Sequence, residues 1–272
     1  MLYLIPTPIG NIQDITLRTL EILSNADILF CEDTRVTKKL LGILSEKFSL
    51  KCKMQKFYSL HSHNEQSVID SLDIKIFEKN VVYLSDAGMP CISDPGVKLI
   101  QFAQKQGIKY EVLPGANAAV TAYAASGFDE KEFLFFGFLP HKSKERKTFL
   151  SDILNNGYNT ILYEAPHRIK QLLEEIAELS PKRELFVQKE ISKIHQKWYK
   201  NSAYNLKKLF ETENLKGEWV VIIQGEKKEV SNITKEDIIS LEIPKKQKAK
   251  LLSKITGKSI KEIYEELVIS NS

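Results

Sequence analysis

Short apolar runs alternate with amphipathic stretches through the first half of the chain. The apolar runs are residues 2–5, 28–31, 57–60, 81–84 and 110–113. Each run stops at a polar or Pro/Gly-rich loop, and a stretch with helical periodicity follows each of the first four. Runs of this length bounded by turn residues are typical of buried strands. The pattern predicts an α/β domain with a largely parallel sheet, in which ligands bind beyond the carboxyl ends of the strands. The third helix is expected to run to about Glu78, and the fourth to cover residues 96–106.

The second half of the chain favours a mixed sheet with antiparallel pairs near its end. An alanine-rich helix follows Asn117, and further elements alternate behind it: strands at 133–139, 159–163, 184–188, 195–199 and 219–224, and helices at 144–154, 167–179 and 203–210. A short charged linker is expected over residues 225–232. The predicted organisation is an N-terminal α/β domain (1–115), a C-terminal α/β domain (116–226) and a basic helical tail domain (233–272).

The tail has its own pattern. Seven lysines and no acidic residue lie between Lys245 and Lys261, on apolar spacing that suits two short helices. Gly257 suits the end of the first helix, and Ser259 with Glu262 forms a capping box for the second. This outline resembles a helix-turn-helix. Its basic face is either solvated, packed on its own domain, or a nucleic-acid contact.

Composition and charge narrow the class of protein. The chain has 272 residues, of which 43% are hydrophobic and 27% charged, with a formal net charge of +4. These values are typical of a globular protein and allow a polyanionic partner without requiring one. Cys31, Cys52 and Cys91 lack metal-ligand spacing, which favours a reducing, cytoplasmic compartment. No apolar run approaches the ~18 residues of a membrane span, and the start of the chain lacks the pattern of a signal peptide.

The stretch VVYLSDAGMPCISDPG, residues 81–96, carries the strongest local signal for a site. A buried strand ends at a loop that Asp86 and Asp94 bracket and that contains several glycines and prolines, as a loop folded around a ligand requires. The alternative is a tight turn in which Asp94 caps the next helix and Pro95 opens it.

Polar clusters also follow other predicted strands: residues 7–11 (TPIGN), 32–35 (EDTR), 61–65 (HSHNE) and 163–168 (YEAPHR). Each has a structural alternative, as a stiff turn, an ion pair or a helix cap. The two histidines of HSHNE lack a further ligand at a sensible spacing, so we predict no metal site. Because neither G-x-G-x-x-G nor a Walker lysine motif occurs, the ligand is expected to carry little phosphate.

Eight motifs, some of them within the segments above, occur in one order: PTPIGN (6–11), EDTR (32–35), HNE (63–65), SDAGMPCISDPG (85–96), PGANAAVTA (114–122), SGF (126–128), FFGFLP (135–140) and YEAPHR (163–168). Together they resemble the small-subunit ribosomal RNA 2′-O-ribose cytidine methyltransferases, a branch of the tetrapyrrole methylase superfamily. The resemblance runs from Leu2 to about Gly225.

The resemblance implies a two-domain α/β homodimer that binds S-adenosylmethionine in the cleft between its domains and methylates 16S rRNA or the small ribosomal subunit. Carried over by motif, the donor-binding residues are Pro8, Asp86, Ala87, Gly88, Met89, Asn117, Ala118, Tyr163, Glu164, Gly217 and Glu218. Such a donor needs backbone amides, a carboxylate and apolar walls, and the reaction needs no metal. Asp86 is expected to face the cationic end of the donor.

Methyl transfer from a sulfonium also requires a group that orients or deprotonates the ribose hydroxyl. The candidates are Glu32 and Asp33, with Arg35 holding them, and Lys193. Relatives commonly show Arg-Glu-Leu-Thr-Lys followed by Glu where this chain has KEISKIHQ (189–196), so charge is kept at Lys189, Glu190 and Lys193, but an ammonium replaces a guanidinium and the later acid is lost. The cations available to RNA are Arg35, Lys38, Lys39, Lys142, Lys144, Arg146, Lys147 and the tail lysines. A tetrapyrrole C-methyltransferase and a non-catalytic RNA-binding assembly factor are the alternatives.

Overall fold

The structure is a computed structural model that describes residues 1–226 and 234–269. The chain divides into two compact units, Met1–Lys227 and Lys228–Ser272. Most of the linker expected over 225–232 lies outside the described residues. The boundary expected at residues 115 and 116 falls within the first unit and stays a prediction, as does the start of the tail domain.

Five parallel strands form the first sheet: β1 (Leu2–Ile5), β2 (Ile28–Cys31), β3 (Lys56–Ser59), β4 (Val81–Leu84) and β5 (Tyr110–Val112), in the order β3-β2-β4-β1-β5. The helices that accompany them are α1 (Leu17–Asn25), α2 (Thr34–Phe48), α3 (Glu65–Asp70) and α4 (Val97–Lys105). All four residues of β4 are buried. Tyr83 packs with Leu99 of α4 on one face, and Val82 packs with Leu44 of α2 on the other. The parallel α/β prediction is confirmed.

One prediction on the helices of this half is wrong, and so is the alternative that the sequence left open for Asp94. The third helix ends at Asp70, and residues Ile74–Glu78 form a separate 3-10 helix. Asp94 does not cap α4, whose N-cap is Gly96 at φ 116° without a side-chain cap of its own. The carboxylate of Glu65 takes that place, since Oε1 accepts hydrogen bonds from the backbone N–H of Gly96 (2.9 Å) and of Lys98 (3.1 Å).

The second sheet is mixed, as expected. Its elements are α5 (Ala118–Ser126), β6 (Phe133–Phe138), α6 (Ser143–Asn155), β7 (Asn159–Glu164), α7 (Ile169–Leu179), β8 (Glu184–Lys189), β9 (Lys197–Ser202), α8 (Ala203–Leu209) and β10 (Trp219–Ile223). The order is β6-β7-β10-β8-β9, and every pairing except β6 with β7 is antiparallel. Ala119 and Ala122 of α5 pack on one face, where small side chains let the helix lie close to Phe186, and α7 packs on the other.

Three helices, one more than expected, form the described part of the tail: α9 (Lys235–Ser240), α10 (Lys245–Thr256) and α11 (Ile260–Ile269). Gly257 ends α10 in the left-handed conformation, and Ser259 and Glu262 exchange the hydrogen bonds of a capping box, so both predictions are confirmed. None of the helices in the described ranges has the length and apolar composition that a membrane span requires.

Replacing Glu65 with alanine is expected to destabilise the protein by about 1–3 kcal/mol, because it leaves two backbone donors at the start of α4 without their acceptor. Urea unfolding measures this change. Glu65→Gln keeps an oxygen acceptor and should lose less. Gln66→Ala is the matched control, since Gln66 is exposed and pairs with Asp70 in its own helix. Equal losses for Glu65→Ala and the control would contradict the assignment.

Candidate functional site

A cleft of about 350 Å³ lies at the carboxyl ends of β1, β4 and β7, a size in the range of small-molecule sites. Loops of the first sheet supply one part of its wall, namely Ile9, Ala87, Gly88, Met89, Ile92 and Asp94. The start of α5 and the second sheet supply the rest, namely Asn117, Ala118, Phe138, Tyr163, Glu164, Ala165, Pro166, Glu218, Trp219 and Val220. Most of these side chains are apolar, so the few polar groups determine what can bind.

Backbone hydrogen bonds join the loops after β1 and β4. The N–H of Thr7 donates to the carbonyl of Gly88, and the N–H of Gly88 donates to the carbonyl of Thr7, each at 3.0 Å. The hydroxyl of Ser85 donates to the same carbonyl of Gly88 at 3.0 Å. Gly88 has φ 83°, and a Cβ there would lie 3.2 Å from Ile9. Glycine is therefore favoured at this position by both conformation and space.

The cleft brings together most of the predicted donor-binding residues: Ala87, Gly88, Met89, Asn117, Ala118, Tyr163, Glu164 and Glu218. Asn117 caps α5 by accepting the N–H of Val120 (3.1 Å), and the hydroxyl of Tyr163 accepts the N–H of Ala119 (3.2 Å). The end of β7 is thus fixed to the start of α5. The binding roles of all these residues stay predictions.

Pro8, Asp86 and Gly217 do not line the cleft. Ile9 stands there in place of its neighbour Pro8. Asp86 faces the end of β2, where its carboxylate accepts the N–H of Asp33 at 3.1 Å. Gly217 has φ 118°, and a Cβ on it would lie 2.7 Å from Cγ of Glu190, so its absence of a side chain makes room for Glu190.

Sequence reasoning missed eight lining residues: Ile9, Ile92, Asp94, Phe138, Ala165, Pro166, Trp219 and Val220. Most of them are chain neighbours of predicted residues or belong to recognised motifs, so the motifs could have identified them as candidates for the cleft wall. Asp94 brackets the central loop in the sequence and lies in the wall, while Glu65 accepts the N–H groups at the start of α4.

Carboxylates gather at the ends of β2 and β4. Burial raises the pKa of Asp94 to about 6, and the nearby charges of Glu32 and Asp86 add to the effect. Burial also raises the pKa of Glu32, with Asp86 as the next cause, while the backbone N–H of Asp86 partly offsets this by hydrogen bonding. Among the described residues, Asp94 has no hydrogen-bond or ion-pair partner for its carboxylate. It is the acid in this wall that is free to meet a ligand.

Asp33 and Arg35 form a local pair at the start of α2. Arg35 lies 2.6 Å from the carboxylate of Asp33, and its backbone N–H donates to the same carboxylate at 2.8 Å. These hydrogen bonds lower the pKa of Asp33 to about 2. Asp33 is therefore an ionised helix cap, and a poor proton acceptor near neutral pH.

Glu164 is buried and its charge is neutralised. Arg146 lies 3.1 Å and Arg168 3.3 Å from its two oxygens, and Arg146 also pairs with Glu175 at 2.7 Å. Arg146 is 1% exposed, so its prediction as an RNA contact is wrong. The basic run around it suggested an exposed face, but the acidic partners of Arg146 lie in β7 and α7.

Lys193 lies beside a different part of the cleft. Its ammonium is 2.9 Å from both Glu190 and Glu218. Burial lowers the pKa of Lys193, but the two hydrogen bonds outweigh this and leave the pKa above its usual value. The structure does not join Lys193 to Glu32, Asp33 or Arg35 by any contact among the described residues. Nearby Lys189 donates to the carbonyl of Asn214 and lies 5.2 Å from the ring of Trp219.

The cleft has no phosphate cradle, and within the described ranges no group of His, Cys, Asp and Glu side chains could hold a metal ion. Two α/β halves that meet at a mostly apolar cleft, with loops after β1 and β4 in one wall, define a class of fold. The chain belongs to the tetrapyrrole (corrin/porphyrin) methylases, whose family model matches residues 1–207.

Particular relatives can be named. The chain is 51% identical to "Ribosomal RNA small subunit methyltransferase I" of Campylobacter fetus subsp. fetus, over 98% of this chain and 100% of the relative. It is 42% identical to the protein of the same name from Helicobacter pylori strain J99, over 97% and 96% of the two chains. The crystal structure of uroporphyrin-III C-methyltransferase from Thermus thermophilus, complexed with S-adenosyl homocysteine, superposes with a TM-score of 0.53 at 13% identity. That match covers 81% of this chain and 96% of the other, and it shows the fold.

Proposed function

We propose that the protein transfers a methyl group from S-adenosylmethionine to the ribose 2′-hydroxyl of a cytidine in 16S rRNA. The observation that carries this proposal is the 51% identity, over the full length of the relative, to a protein named as a small-subunit rRNA methyltransferase. The eight ordered motifs support the finer statement about the ribose hydroxyl and the cytidine. The arrangement of charges around the cleft is compatible with both a cationic donor and an anionic substrate.

The residues of the cleft fit S-adenosylmethionine. The free carboxylate of Asp94 suits its cationic part, the backbone of Ala87 and Met89 offers hydrogen-bonding groups, and Ile92 and Val220 provide apolar wall. The donor supplies, when bound, a methyl group attached to a positively charged sulfur. The sequence predicted that Asp86 meets the cationic end of the donor. Because Asp86 faces Asp33 instead, we assign this contact to Asp94.

Of the two acids proposed to handle the ribose proton, Glu32 suits the role better. Its raised pKa makes it a more effective base near neutral pH than Asp33, whose pKa is about 2. We propose that Glu32 accepts the proton of the hydroxyl, and that Asp33 with Arg35 fixes the start of α2 beside it. Lys193 stays protonated, so we propose for it an electrostatic contact to substrate and no role as a base.

RNA requires cations that are available to phosphate. Lys38, Lys39, Lys142, Lys144 and Lys147 have no ion-pair partner among the described residues, and Arg35 is paired but largely exposed. We propose these residues, together with the lysines of the tail, as the RNA-facing cations. A homodimer, which the family resemblance implies, is also proposed, and sedimentation equilibrium would measure its mass.

Label from tritiated S-adenosylmethionine is expected in 2′-O-methylcytidine when the protein acts on small ribosomal subunits from a strain that lacks its gene. Digestion of the RNA to nucleosides identifies the product. Subunits from the parental strain are the control, since their site is already methylated and should accept little label. Transfer to a tetrapyrrole precursor, or donor binding without transfer to any RNA, would overturn the proposal in favour of an alternative function.

Donor affinity is expected to be constant above about pH 7 and to fall as pH decreases below about 6. Asp94 has a raised pKa of about 6, so it is ionised above that pH and loses its charge below it. Titration calorimetry from pH 5 to pH 8 measures the effect. Asp94→Asn should bind the donor more weakly at pH 7.5 and should show little dependence on pH. Asp86→Asn, which removes a neighbouring carboxylate outside the cleft wall, should keep most of the affinity.

Glu32→Gln is expected to lower kcat by roughly 10²–10⁴-fold, the usual contribution of a general base, with donor affinity within about twofold of the parental value. Asp33→Asn should lower kcat much less, because asparagine also caps a helix. Single-turnover methylation of small subunits measures both variants. If Glu32→Gln methylates at the parental rate, another group accepts the proton.

A further inference from the structure

Strand β6 contains an irregularity just before the cleft. Its pairing with β7 joins Phe135 to Ile161 and then Gly137 to Leu162, so the register shifts by one residue between Phe135 and Gly137. Gly137 has φ 80°, the left-handed conformation that glycine adopts most easily. This is a β-bulge, a feature that changes the direction in which the following side chain points.

The bulge determines which face Phe138 occupies. Side chains alternate along a regular strand, so Phe138 would share a face with Phe136, whose ring meets Phe149 of α6 at 5.4 Å. The rings of Phe135 and Phe138 instead both meet Tyr163 edge-on, at 5.1 and 5.6 Å. Phe138 is thereby placed in the wall of the cleft.

The bulge also lies against the central loop. A Cβ on Gly137 would be 3.4 Å from Oγ of Ser93, the residue before Asp94. Ser93 itself has φ 69°. Two positions in left-handed conformation therefore face each other at the edge of the cleft, one before Asp94 and one before Phe138. The carboxylate of Asp94 and the ring of Phe138 therefore follow two backbone segments that lie against each other.

Phe138 remains open to a further partner. It is 54% exposed, whereas Trp219 in the same cleft is 2% exposed and Ile92 is 40% exposed. A large aromatic side chain that is held in position by Tyr163 and still keeps half its surface in solvent offers area for a flat ligand. Aromatic rings stack on nucleobases of any sequence, because every base has a π face.

Cations follow directly after Phe138 in the chain. Lys142 precedes α6 as its N-cap, and Lys144 lies in the first turn. Both are exposed, and neither has an ion-pair partner among the described residues. Lys193, by comparison, is held by two carboxylates. An exposed aromatic side chain followed within six residues by two unpaired cations suits a nucleotide, which joins a flat base to a phosphate.

We propose that Phe138 stacks on the base of the nucleotide whose ribose is methylated, and that Lys142 and Lys144 contact the adjoining phosphates. This assigns substrate recognition to the end of β6 and the start of α6, beside the donor-binding residues of the same cleft. The inference rests on the proposed function, since it names the substrate contact of the same cleft.

Phe138→Leu is expected to raise KM for small ribosomal subunits by roughly tenfold or more, because leucine fills similar volume without a π face. Donor affinity, measured separately by titration calorimetry without RNA, should stay within about twofold of the parental value. Phe138→Trp should restore a KM near the parental one. The matched control is Phe133→Leu, since Phe133 is 40% exposed on the same strand and does not line the cleft. Thermal unfolding confirms that each variant is folded.

The outcomes separate this inference from the proposed function. If the parental protein methylates subunits and Phe138→Leu keeps its KM, the stacking assignment is rejected. If Phe138→Leu weakens donor binding as much as it raises KM, Phe138 belongs to the donor site and the inference is also rejected. If the parental protein binds donor but labels no RNA, the proposed function itself fails.

Discussion

The two backbone hydrogen bonds between Thr7 and Gly88 are the constraint on which the cleft depends. Parallel strands β1 and β4 are neighbours, so their following loops leave the sheet at the same edge, and the bridge extends the pairing beyond the strand ends. The central loop is fixed again at Gly96, where Glu65 supplies the cap of α4. Asp94 lies between these two fixed points. Contacts within the protein therefore hold the wall that carries it on both sides.

Charge is distributed unevenly around this fixed frame. Of the acids that line the cleft, Glu164 is neutralised by two arginines and Glu218 is paired with Lys193, which leaves Asp94 as the uncompensated one among the described residues. A half-buried carboxylate with other acids nearby is costly to ionise, as its raised pKa reflects, and a bound cation would lower that cost. The unpaired lysines that we propose for RNA, apart from those of the tail, belong to α2 and to the first half of α6 or the residue before it. The cleft wall at Asp94 thus favours a cationic ligand, and the lysine-bearing surface of the same unit favours an anionic one.

Much of the fold follows from the sequence, and the exceptions have physical causes. Strands such as Val81–Leu84 are buried on both faces, so they read as continuous apolar runs, and the capping box at Ser259 is purely local. Asp94 was a plausible cap because its cap signal is local too, whereas the cap actually used comes from Glu65, far away in the chain. Arg146 resembled its lysine neighbours because a sequence does not reveal which cation meets a buried carboxylate. The motifs located most of the cleft. Asp94 could be recognised as its unpaired acid only from the structure, which shows that Glu164 and Glu218 are paired.

The likeness to a uroporphyrin-III methyltransferase at 13% identity shows a shared fold, and a fold does not by itself select a substrate. What can differ between such proteins is the set of side chains at the strand ends. A single bulge in β6 moves Phe138 from the face of Phe136 to the face of Tyr163, while β6 keeps its pairing with β7 on either side. A change of one residue in register can therefore alter the surface offered to a substrate and leave the bridged loops intact. Under the two proposals, donor and substrate would be recognised through different backbone irregularities, at Gly88 and at Gly137.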